Sequence, residues 1–277
     1  MRSVTQDIYI EAEKRQSLSI RELWLYRELF FFFAWRDIKV RYKQTALGAG
    51  WAILQPFLAT GVFTLFFNKV AGIQSGNVAV PYAVFAYLGL MYWNCFNSSI
   101  NTVANSLVAS QGVITKIYFP RLIPCLAAAA LSVVDFFFAS TIFFVLMAVY
   151  RIPPHIEGLL YFIPALGLLV AAALGIGIFF AALNVKYRDV RSALPFITQL
   201  LLFITPVIYP ITSIPEQYRI FAFLNPAAGA ISGIRAAMFG DAINWNGVLL
   251  SCLSTIVALF IGLMYFKKTE KNFADII

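Results

Sequence analysis

Long apolar stretches without a charged residue dominate the pattern along this chain. Uncharged runs cover 44–68, 70–115, 158–185, 192–215 and 242–266, and a further apolar stretch, 122–150, is interrupted only by Asp135. A helix needs roughly 20 apolar residues to cross the hydrocarbon core of a bilayer. The pattern therefore predicts an all-α integral membrane protein with six transmembrane helices. The predicted spans are at about 51–67, 82–108, 123–149, 159–183, 193–209 and 247–266.

Composition and charge support this prediction and orient it. Of the 277 residues, 61% are hydrophobic and only 12% are charged, which is about half of the charged fraction of a soluble domain. This excludes a disordered chain, a disulfide-stapled secreted fold and a zinc protein. With the N-terminus inside, seventeen of the 21 Lys and Arg residues fall in inner segments. The positive-inside rule then predicts that both termini are cytoplasmic.

The chain divides into three predicted regions. Residues 1–44 form a cytoplasmic segment, 45–266 form the six-helix transmembrane domain, and 267–277 form a cytoplasmic tail. The first region is too charged for a cleavable signal peptide, so the spans themselves direct insertion.

An amphipathic helix at the inner membrane interface is predicted within the first region, at about 20–43. Its apolar and aromatic residues alternate with charges, and it ends in a basic run that includes Arg36, Lys39, Arg41 and Lys43. Such a helix can anchor the chain to anionic lipid, or it can be a docking surface for a cytoplasmic partner. Composition alone favours the anchor.

The segment between the fifth and sixth spans, 210–246, contains a moderately apolar stretch at 220–234 with Pro226 and two glycines. A seventh crossing there would place the basic residues of the tail outside. We therefore expect a pair of short re-entrant helices that dips into the outer leaflet and returns, bordering a cavity or pathway. An amphipathic helix on the outer surface is the alternative.

The second predicted span carries a row of polar side chains. The residues recur at spacings of three and four and therefore share one helix face; they are Asn94, Asn97, Ser98, Asn101, Asn105 and Ser106. Because amides are unfavourable against lipid, this face should meet other helices or water. The polar row can form hydrogen bonds between helices, or it can line a conduit for a hydroxyl-rich substrate. Both interpretations are open.

Other isolated polar residues favour structural roles. Asp135 has no basic residue at its depth in this topology, so we expect it to be protonated or hydrogen-bonded at a helix contact. His155 lies in a short outer loop, and the cysteines lack metal-ligand spacing. The small residues around Gly175 and Gly177 should allow a close approach of two helices.

Catalytic motifs are absent from the sequence. It contains no phosphate-binding loop, no cluster of histidines and no nucleophile motif of a hydrolase. The chain is therefore predicted not to be an enzyme. If it moves a substrate uphill, we expect the energy to come from another subunit.

Several motifs together resemble the polysaccharide-export permeases, which are membrane subunits of type-2 ATP-binding-cassette (ABC) exporters for O-antigen, capsule and teichoic acid. The resemblance rests on WRDIKVRYKQ at 35–44, ITKIYFPR at 114–121, ALNVKYRDVR at 182–191, TPVIYP at 205–210 and LNP at 224–226. It covers nearly the whole chain, from about 20 to 266.

The resemblance implies six spans, a homodimer and two copies of a separate ABC ATPase subunit. This chain then binds no cofactor, and ATP and Mg²⁺ belong to the partner ATPase. The resemblance makes the first inner loop a coupling helix and shifts the interpretation of the helix at 20–43 from anchor to docking surface. The implied ATPase-coupling residues are Gln111, Ile114, Lys116, Ile117, Tyr118, Phe119, Arg121, Arg36 and Lys39.

A lipid-linked glycan is the implied substrate, threaded outward across the bacterial cytoplasmic (inner) membrane through the dimer. Because sugars stack on aromatic rings and bond to amides, the predicted path residues are Tyr87, Tyr92, Trp93, Phe96, Asn94, Asn97, Asn101 and Asn105. Asn225 and Pro226 are predicted at the turn of the re-entrant pair that closes the exit. Membrane lipids are further partners, and nucleic acid is not.

Two other classes of function are compatible with the sequence. One is an ABC exporter of teichoic acid, a drug or a small lipid, which needs the same ATPase. The other is a membrane channel or scaffold that works without an ATPase. Binding of an ATPase subunit by the 111–121 loop separates them.

Overall fold

The computed structural model describes residues 20–43, 50–72, 75, 80–187 and 189–270. Every regular element in these ranges is a helix. The predictions for 1–19 and 271–277, in the N-terminal segment and the tail, lie outside the described residues.

The described residues up to 149 form six α-helices. They are α1 (Ile20–Leu25), α2 (Arg27–Lys43), α3 (Gly50–Phe63), α4 (Tyr82–Ala109), α5 (Gln111–Ile114) and α6 (Leu122–Val149). Helix α3 continues as a π-helical segment, Thr64–Val70. The short helix α5 stands in the loop that the sequence places after the second span.

Five α-helices follow in the described part of the chain after residue 149. They are α7 (Ile156–Lys186), α8 (Val190–Ile204), α9 (Glu216–Phe223), α10 (Pro226–Phe239) and α11 (Trp245–Glu270). A 3₁₀ turn, Ile211–Ser213, lies between α8 and α9.

Helices α4 and α7 form the centre of the bundle. Helix α4 packs against α3, α6, α7 and α10, while α7 also packs against α10 and α11. The largest buried side chains of this core include Tyr87 and Tyr92 of α4 and Phe136 and Phe143 of α6. Their burial removes a large apolar area from contact with lipid and water and fixes the positions of α4 and α6.

The helix ends gather at two ends of the bundle. At the basic end, defined by Gln111–Arg121, Lys186 and Lys267, the guanidinium of Arg121 donates to the carbonyl of Glu270. At the hairpin end, defined by α9 and α10, the hydroxyl of Tyr82 donates to the carbonyl of Ile208 at 2.6 Å. The amide of His155 donates to the carbonyl of Met238 there at 3.4 Å. The imidazole ring of His155 also lies against Gly240, which supports the interpretation of His155 as a structural residue.

Four helical segments among the described residues are long and apolar enough to cross a membrane. They are Gly50–Val70, Leu122–Val149, Ile156–Lys186 and Trp245–Glu270. The bent pair of α9 and α10 is a fifth candidate if it is counted as one broken span. Helix α4 has 28 residues, but its amide row makes it more polar than these four, and α8 has only 15 residues. The chain is a multi-pass membrane protein, and the count of six spans stays a prediction.

The small residues of α7 let its neighbours approach closely, as the sequence predicts. A Cβ at Gly175 would lie 2.6 Å from the backbone nitrogen of Leu259 in α11. A Cβ at Gly177 would lie 2.7 Å from the Cβ of Val103 in α4. Hydrogen in place of a side chain is therefore required at both crossings.

Helix α2 packs along α6 and differs from a simple amphipathic helix. Phe33 is buried against Phe119 and the first turns of α6, while Phe31, Phe32 and Trp35 are exposed. Its apolar side chains thus point both toward α6 and away from it, since one side is covered by protein and the other is exposed. Its placement at the membrane interface stays a prediction.

Candidate functional site

The polar face of α4 lines a cavity of about 250 Å³ between α2, α3, α4 and α6. Asn94, Asn97, Ser98 and Asn101 contribute from α4. Met91 and Cys95 of α4 also line it. The other walls come from Arg41 of α2, from Ala52, Gln55 and Pro56 of α3, and from Ser132, Asp135, Phe136 and Ala139 of α6. The α4 spacing of three and four places the amides on one face, and the cavity lets them avoid lipid.

Part of the polar capacity around this cavity is not used within the described chain. The amide nitrogen of Asn101 donates to Oδ1 of Asn97 at 2.9 Å, and the hydroxyl of Ser132 donates to Ser98 at 3.0 Å. Oδ1 of Asn101 is buried and has no hydrogen-bond partner among the described residues. The described residues also offer no partner to the amide of Asn94. Buried polar groups of this kind require water or a polar ligand.

Asn105 behaves differently from the other amides of the row. Its Oδ1 accepts from the amide nitrogen of Asn184 in α7 at 3.1 Å. Its own nitrogen donates to the carbonyl of Asn101 at 2.8 Å. Asn105 therefore connects α4 with α7. One part of the polar row therefore forms hydrogen bonds to another helix, and another part lines the cavity.

The aromatic residues predicted for the substrate path lie inside the subunit. Tyr87, Tyr92, Trp93 and Phe96 are each at most 3% exposed. The hydroxyl of Tyr87 donates to the carbonyl of Ala139 at 3.0 Å, and that of Tyr92 donates to the carbonyl of Phe162 at 2.8 Å. Such satisfied, enclosed rings are typical of packing, and their role in a path stays a prediction.

Asp135 has a basic partner, contrary to the expectation of an isolated acid. Its Oδ2 lies 2.9 Å from a guanidinium nitrogen of Arg41, and the hydroxyl of Tyr42 donates to Oδ1. The expectation of no basic neighbour was wrong because it placed Arg41 at the membrane surface, whereas α2 follows α6 to Asp135. The predicted hydrogen bond at a helix contact is present, between α2 and α6. That carboxylate is thirteen residues into α6, about 20 Å along the helix axis. Burial and the hydrogen bond to Asp135 raise the pKa of Tyr42.

The loop Gln111–Arg121, the predicted coupling segment, exposes two of its three predicted apolar anchors. Ile117 is 63% exposed and Tyr118 is 54% exposed. Phe119 is only 4% exposed, and its ring centroid lies 5.7 Å from that of Phe33. The expectation of an exposed anchor does not fit Phe119, because α2 already covers its ring. Phe119 instead holds the loop against α2.

The remaining residues predicted for coupling lie around this loop. Gln111 and Lys116 are exposed, whereas Ile114 is partly buried. Lys39 is exposed on α2, and Arg36 forms an ion pair with Asp37 at 2.8 Å. Contact of any of them with an ATPase subunit stays a prediction.

Two short helices turn at Asn225-Pro226, where the sequence predicts the turn of a re-entrant pair; that the pair is re-entrant stays a prediction. Helices α9 and α10 meet at an angle of 112°. Oδ1 of Asn225 accepts from the amide of Ala227 at 3.1 Å, and its nitrogen donates to the hydroxyl of Thr205 at 2.6 Å. Pro226 occupies the first position of α10, where its missing N–H has no helical partner to lose.

Arg235 is a buried charge that the sequence interpretation treated only as an outer basic residue. It is 5% exposed and donates to the carbonyls of Pro206 at 2.7 Å and Phe85 at 3.0 Å. Its guanidinium carbon lies 3.7 Å from the centroid of the Phe85 ring. A basic residue inside an apolar segment is the signal that could have identified it. Arg235 fastens α10 to α4 and to the turn after α8.

Metal and thiol chemistry receive no support from the described residues. These contain no group of three His, Cys, Asp or Glu side chains that could hold a metal ion. Cys95 and Cys125 are free and buried, consistent with their interpretation as small apolar residues.

Comparison with known proteins identifies the family. The profile of the ABC-2 type transporter family matches residues 28–239, which is well over half of the chain. The chain belongs to the ABC-2 type transporter family. The matched segment runs from α2 to the end of α10, and so includes the cavity, the loop Gln111–Arg121 and the bent pair.

Individual relatives of this ABC-2 chain match over nearly their whole lengths. The O-antigen export system permease protein RfbA of Klebsiella pneumoniae is 28% identical over 243 residues, 87% of this chain and 92% of its own. The RfbA protein of Myxococcus xanthus is 25% identical over 259 residues, 92% of this chain and 98% of its own. The polysialic acid transport protein KpsM of Escherichia coli is 26% identical over 240 residues, 85% and 91% of the two chains.

Proposed function

We propose that this chain is the permease subunit of an ABC exporter that moves a polysaccharide across the cytoplasmic membrane. The observation that carries the proposal is the near full-length match to permeases named for O-antigen export and polysialic acid transport. The polar face of α4 agrees with it, because a glycan needs amide and hydroxyl partners in place of water. An exporter of drugs or small lipids has less need of such a face.

The proposal includes six spans with both termini in the cytoplasm and the basic end facing inward. The gathering of Lys116, Arg121, Lys186, Lys267 and Lys268 at helix ends of the bundle supports this orientation. Under it, α9 and α10 form a re-entrant pair at the outer side. Two subunits then form a homodimer, and the substrate is carried on a lipid.

Energy comes from a separate ABC ATPase subunit that binds the basic end. The exposed apolar side chains of Ile117 and Tyr118 support this part of the proposal, since exposed apolar residues at a cytoplasmic loop are typical of a docking contact. Phe119 and Phe33 join the loop to α2. A movement of the loop is therefore passed directly to α2 and, through Arg41, to the side of the cavity.

Mechanistically, ATP binding closes the two ATPase subunits and displaces the coupling loops. Since α2 contacts both the loop and Asp135, and α4 and α6 surround the cavity, this displacement changes the packing of the helices that line it. The glycan advances when the dimer opens and is retained when the bent pair closes the outer side. Repeated ATP cycles move a polymer stepwise.

The proposal is tested by deleting the permease gene in its native strain and measuring polysaccharide on the cell surface. We expect surface polysaccharide to disappear and the lipid-linked glycan to accumulate inside. The plasmid-borne wild-type gene restores export, provided that the partner ATPase keeps its phosphate-loop lysine. Surface polysaccharide that persists in the deletion strain, or that returns with an inactive ATPase, contradicts the proposal.

A further inference from the structure

We propose that the cavity between α2, α3, α4 and α6 is a binding subsite for one sugar unit of the exported polymer. The subsite lies within a single subunit. This inference rests on the proposed function and adds to it the place and the residues of recognition. The residues that contact the sugar are Gln55, Asn94, Asn97, Asn101, Arg41 and Asp135.

The size of the cavity suits a small ligand rather than a long segment of polymer. Its volume of about 250 Å³ equals about eight water molecules at roughly 30 Å³ each. Sites for drug-sized ligands begin at about 300 Å³. The cavity therefore has room for about one monosaccharide ring with part of its hydration.

Unused hydrogen-bonding capacity indicates that the cavity contents are polar. Among the described residues, Oδ1 of Asn101 is buried without a hydrogen-bond partner, and the amide of Asn94 likewise forms no hydrogen bond with any of them. Leaving an amide unpaired in an apolar medium costs several kcal/mol. A hydrogen bond to water or to a hydroxyl-bearing ligand removes that cost. Sugar hydroxyls both donate and accept, so they satisfy amide oxygens and amide nitrogens alike.

The walls have both of the surfaces that a sugar ring presents. Phe136 and Ala139 of α6 supply apolar contact, which suits the C–H face of a pyranose. The amides of α4 supply hydrogen bonds on another side. A cavity that holds only water does not need an apolar wall beside a polar one.

A charged pair completes the wall on the side of α2. Arg41 and Asp135 lie 2.9 Å apart and both line the cavity. The carboxylate can accept from one sugar hydroxyl while the guanidinium donates to its neighbour. Gln55 lines the cavity from α3 and is exposed.

Replacing Asn94 or Gln55 by leucine tests the subsite. The described structure gives neither amide a protein partner, so Asn94→Leu and Gln55→Leu should leave the melting temperature of the purified subunit unchanged or raise it. Export of the native surface polysaccharide, measured per permease molecule, should fall about twofold to tenfold for each lost hydrogen bond. The matched control is Thr141→Val on α6, an exposed residue outside the cavity whose hydroxyl donates to the carbonyl of Phe137 at 3.3 Å.

The outcomes separate the subsite from the proposed function. Normal export by Asn94→Leu and Gln55→Leu, with export by the wild type intact, overturns the subsite alone. Absence of export by the wild type overturns the proposed function. Reduced export by the Thr141→Val control to the same extent also overturns the subsite, because the effect is then not specific to the cavity.

A labelling experiment distinguishes a bound sugar from water. Ser98→Cys is introduced into a chain with Cys95, Cys125 and Cys252 replaced by alanine, and N-ethylmaleimide is applied to cells with glycan synthesis switched on or off. We expect labelling of Cys at position 98 to be several-fold slower while glycan is being made. Equal labelling in the two states overturns the subsite. Failure to label in either state overturns it too, since a cavity closed to this reagent is closed to a sugar.

Discussion

At the scale of single residues, the buried guanidinium of Arg235 is the least expected feature of the bundle. A buried charge is strongly unfavourable unless other groups compensate it. Carbonyl oxygens do so here, and the turn after α8 supplies two of them, at Pro206 and Val207. Helix ends leave such carbonyls without helical partners. Arg235 thus pairs an unfavourable charge with backbone groups that need a donor.

Gly89 makes room for this guanidinium and provides a prediction. A Cβ at position 89 would lie 2.7 Å from Cζ of Arg235 and 2.9 Å from the carbonyl oxygen of Val207. We expect Gly89→Ala to lower the free energy of unfolding by about 1–3 kcal/mol through overpacking. Thermal unfolding of the subunit in detergent measures this. The control is Gly61→Ala in α3, where no neighbouring described residue comes within 4 Å of an added Cβ. Equal stability of the two variants contradicts the tight packing of Gly89 against Arg235.

The ion pair of Arg41 and Asp135 provides a second prediction at this scale. Asp135→Leu removes the carboxylate beside a partly exposed guanidinium and should lower the free energy of unfolding by about 1–2 kcal/mol, less than for a fully buried pair. Arg41→Leu in the same chain should recover most of that loss, since two apolar residues leave no charge behind. A double-mutant cycle of unfolding measurements gives the coupling. If the two changes in unfolding free energy add strictly, Arg41 and Asp135 do not stabilise the fold as an ion pair.

At the scale of whole elements, close helix crossings determine how the bundle is assembled. Helix α7 contacts α4 on one side and α10 and α11 on the other. Small residues at these crossings allow backbones to approach, and dispersion contacts then replace the hydrophobic effect that is absent between helices in lipid. Gly262 of α11 directly faces the carbonyl of Gly175. The crossing is therefore glycine against glycine.

The α7–α11 crossing can be tested with two glycines of the same helix. Gly175→Ala should destabilise the subunit by about 1–3 kcal/mol, because the added methyl meets the backbone of α11. Gly167→Ala, at a position with nothing within 4 Å, should be neutral or slightly stabilising, since alanine favours helix. Melting temperatures of both variants decide this. A destabilised Gly167→Ala together with a wild-type Gly175→Ala argues against the crossing.

At the scale of the whole molecule, local patterns could be predicted from sequence more readily than contacts between distant segments. The amides of α4 repeat at helical spacing, so their common face follows from the sequence alone, as does the turn at Asn225-Pro226. The partner of Asp135 does not, because Arg41 lies almost one hundred residues earlier in the chain. The burial of Phe119 also depends on a distant residue, Phe33. Periodicity carries no information on which helix packs against which.

The contrast between Phe119 and its exposed neighbours yields a prediction for the assembled transporter. Ile117→Ser with Tyr118→Ser should weaken co-purification of the cognate ABC ATPase without lowering the melting temperature of the permease, because both side chains are exposed. Phe119→Ala should instead lower the stability of the permease itself, by about 3 kcal/mol. Pull-down of the ATPase and thermal unfolding are measured on the same preparations. An unchanged ATPase yield with the double variant places the docking contact elsewhere.

The central claim is that this chain moves a polysaccharide with energy supplied by another subunit. Its most direct test is transport in proteoliposomes that contain the purified permease, its cognate ATPase and the lipid-linked glycan of its native strain. The account predicts that glycan crosses the bilayer only when permease, ATPase and hydrolysable ATP are all present. Movement that continues without the ATPase, or ATP hydrolysis that never moves glycan, contradicts it.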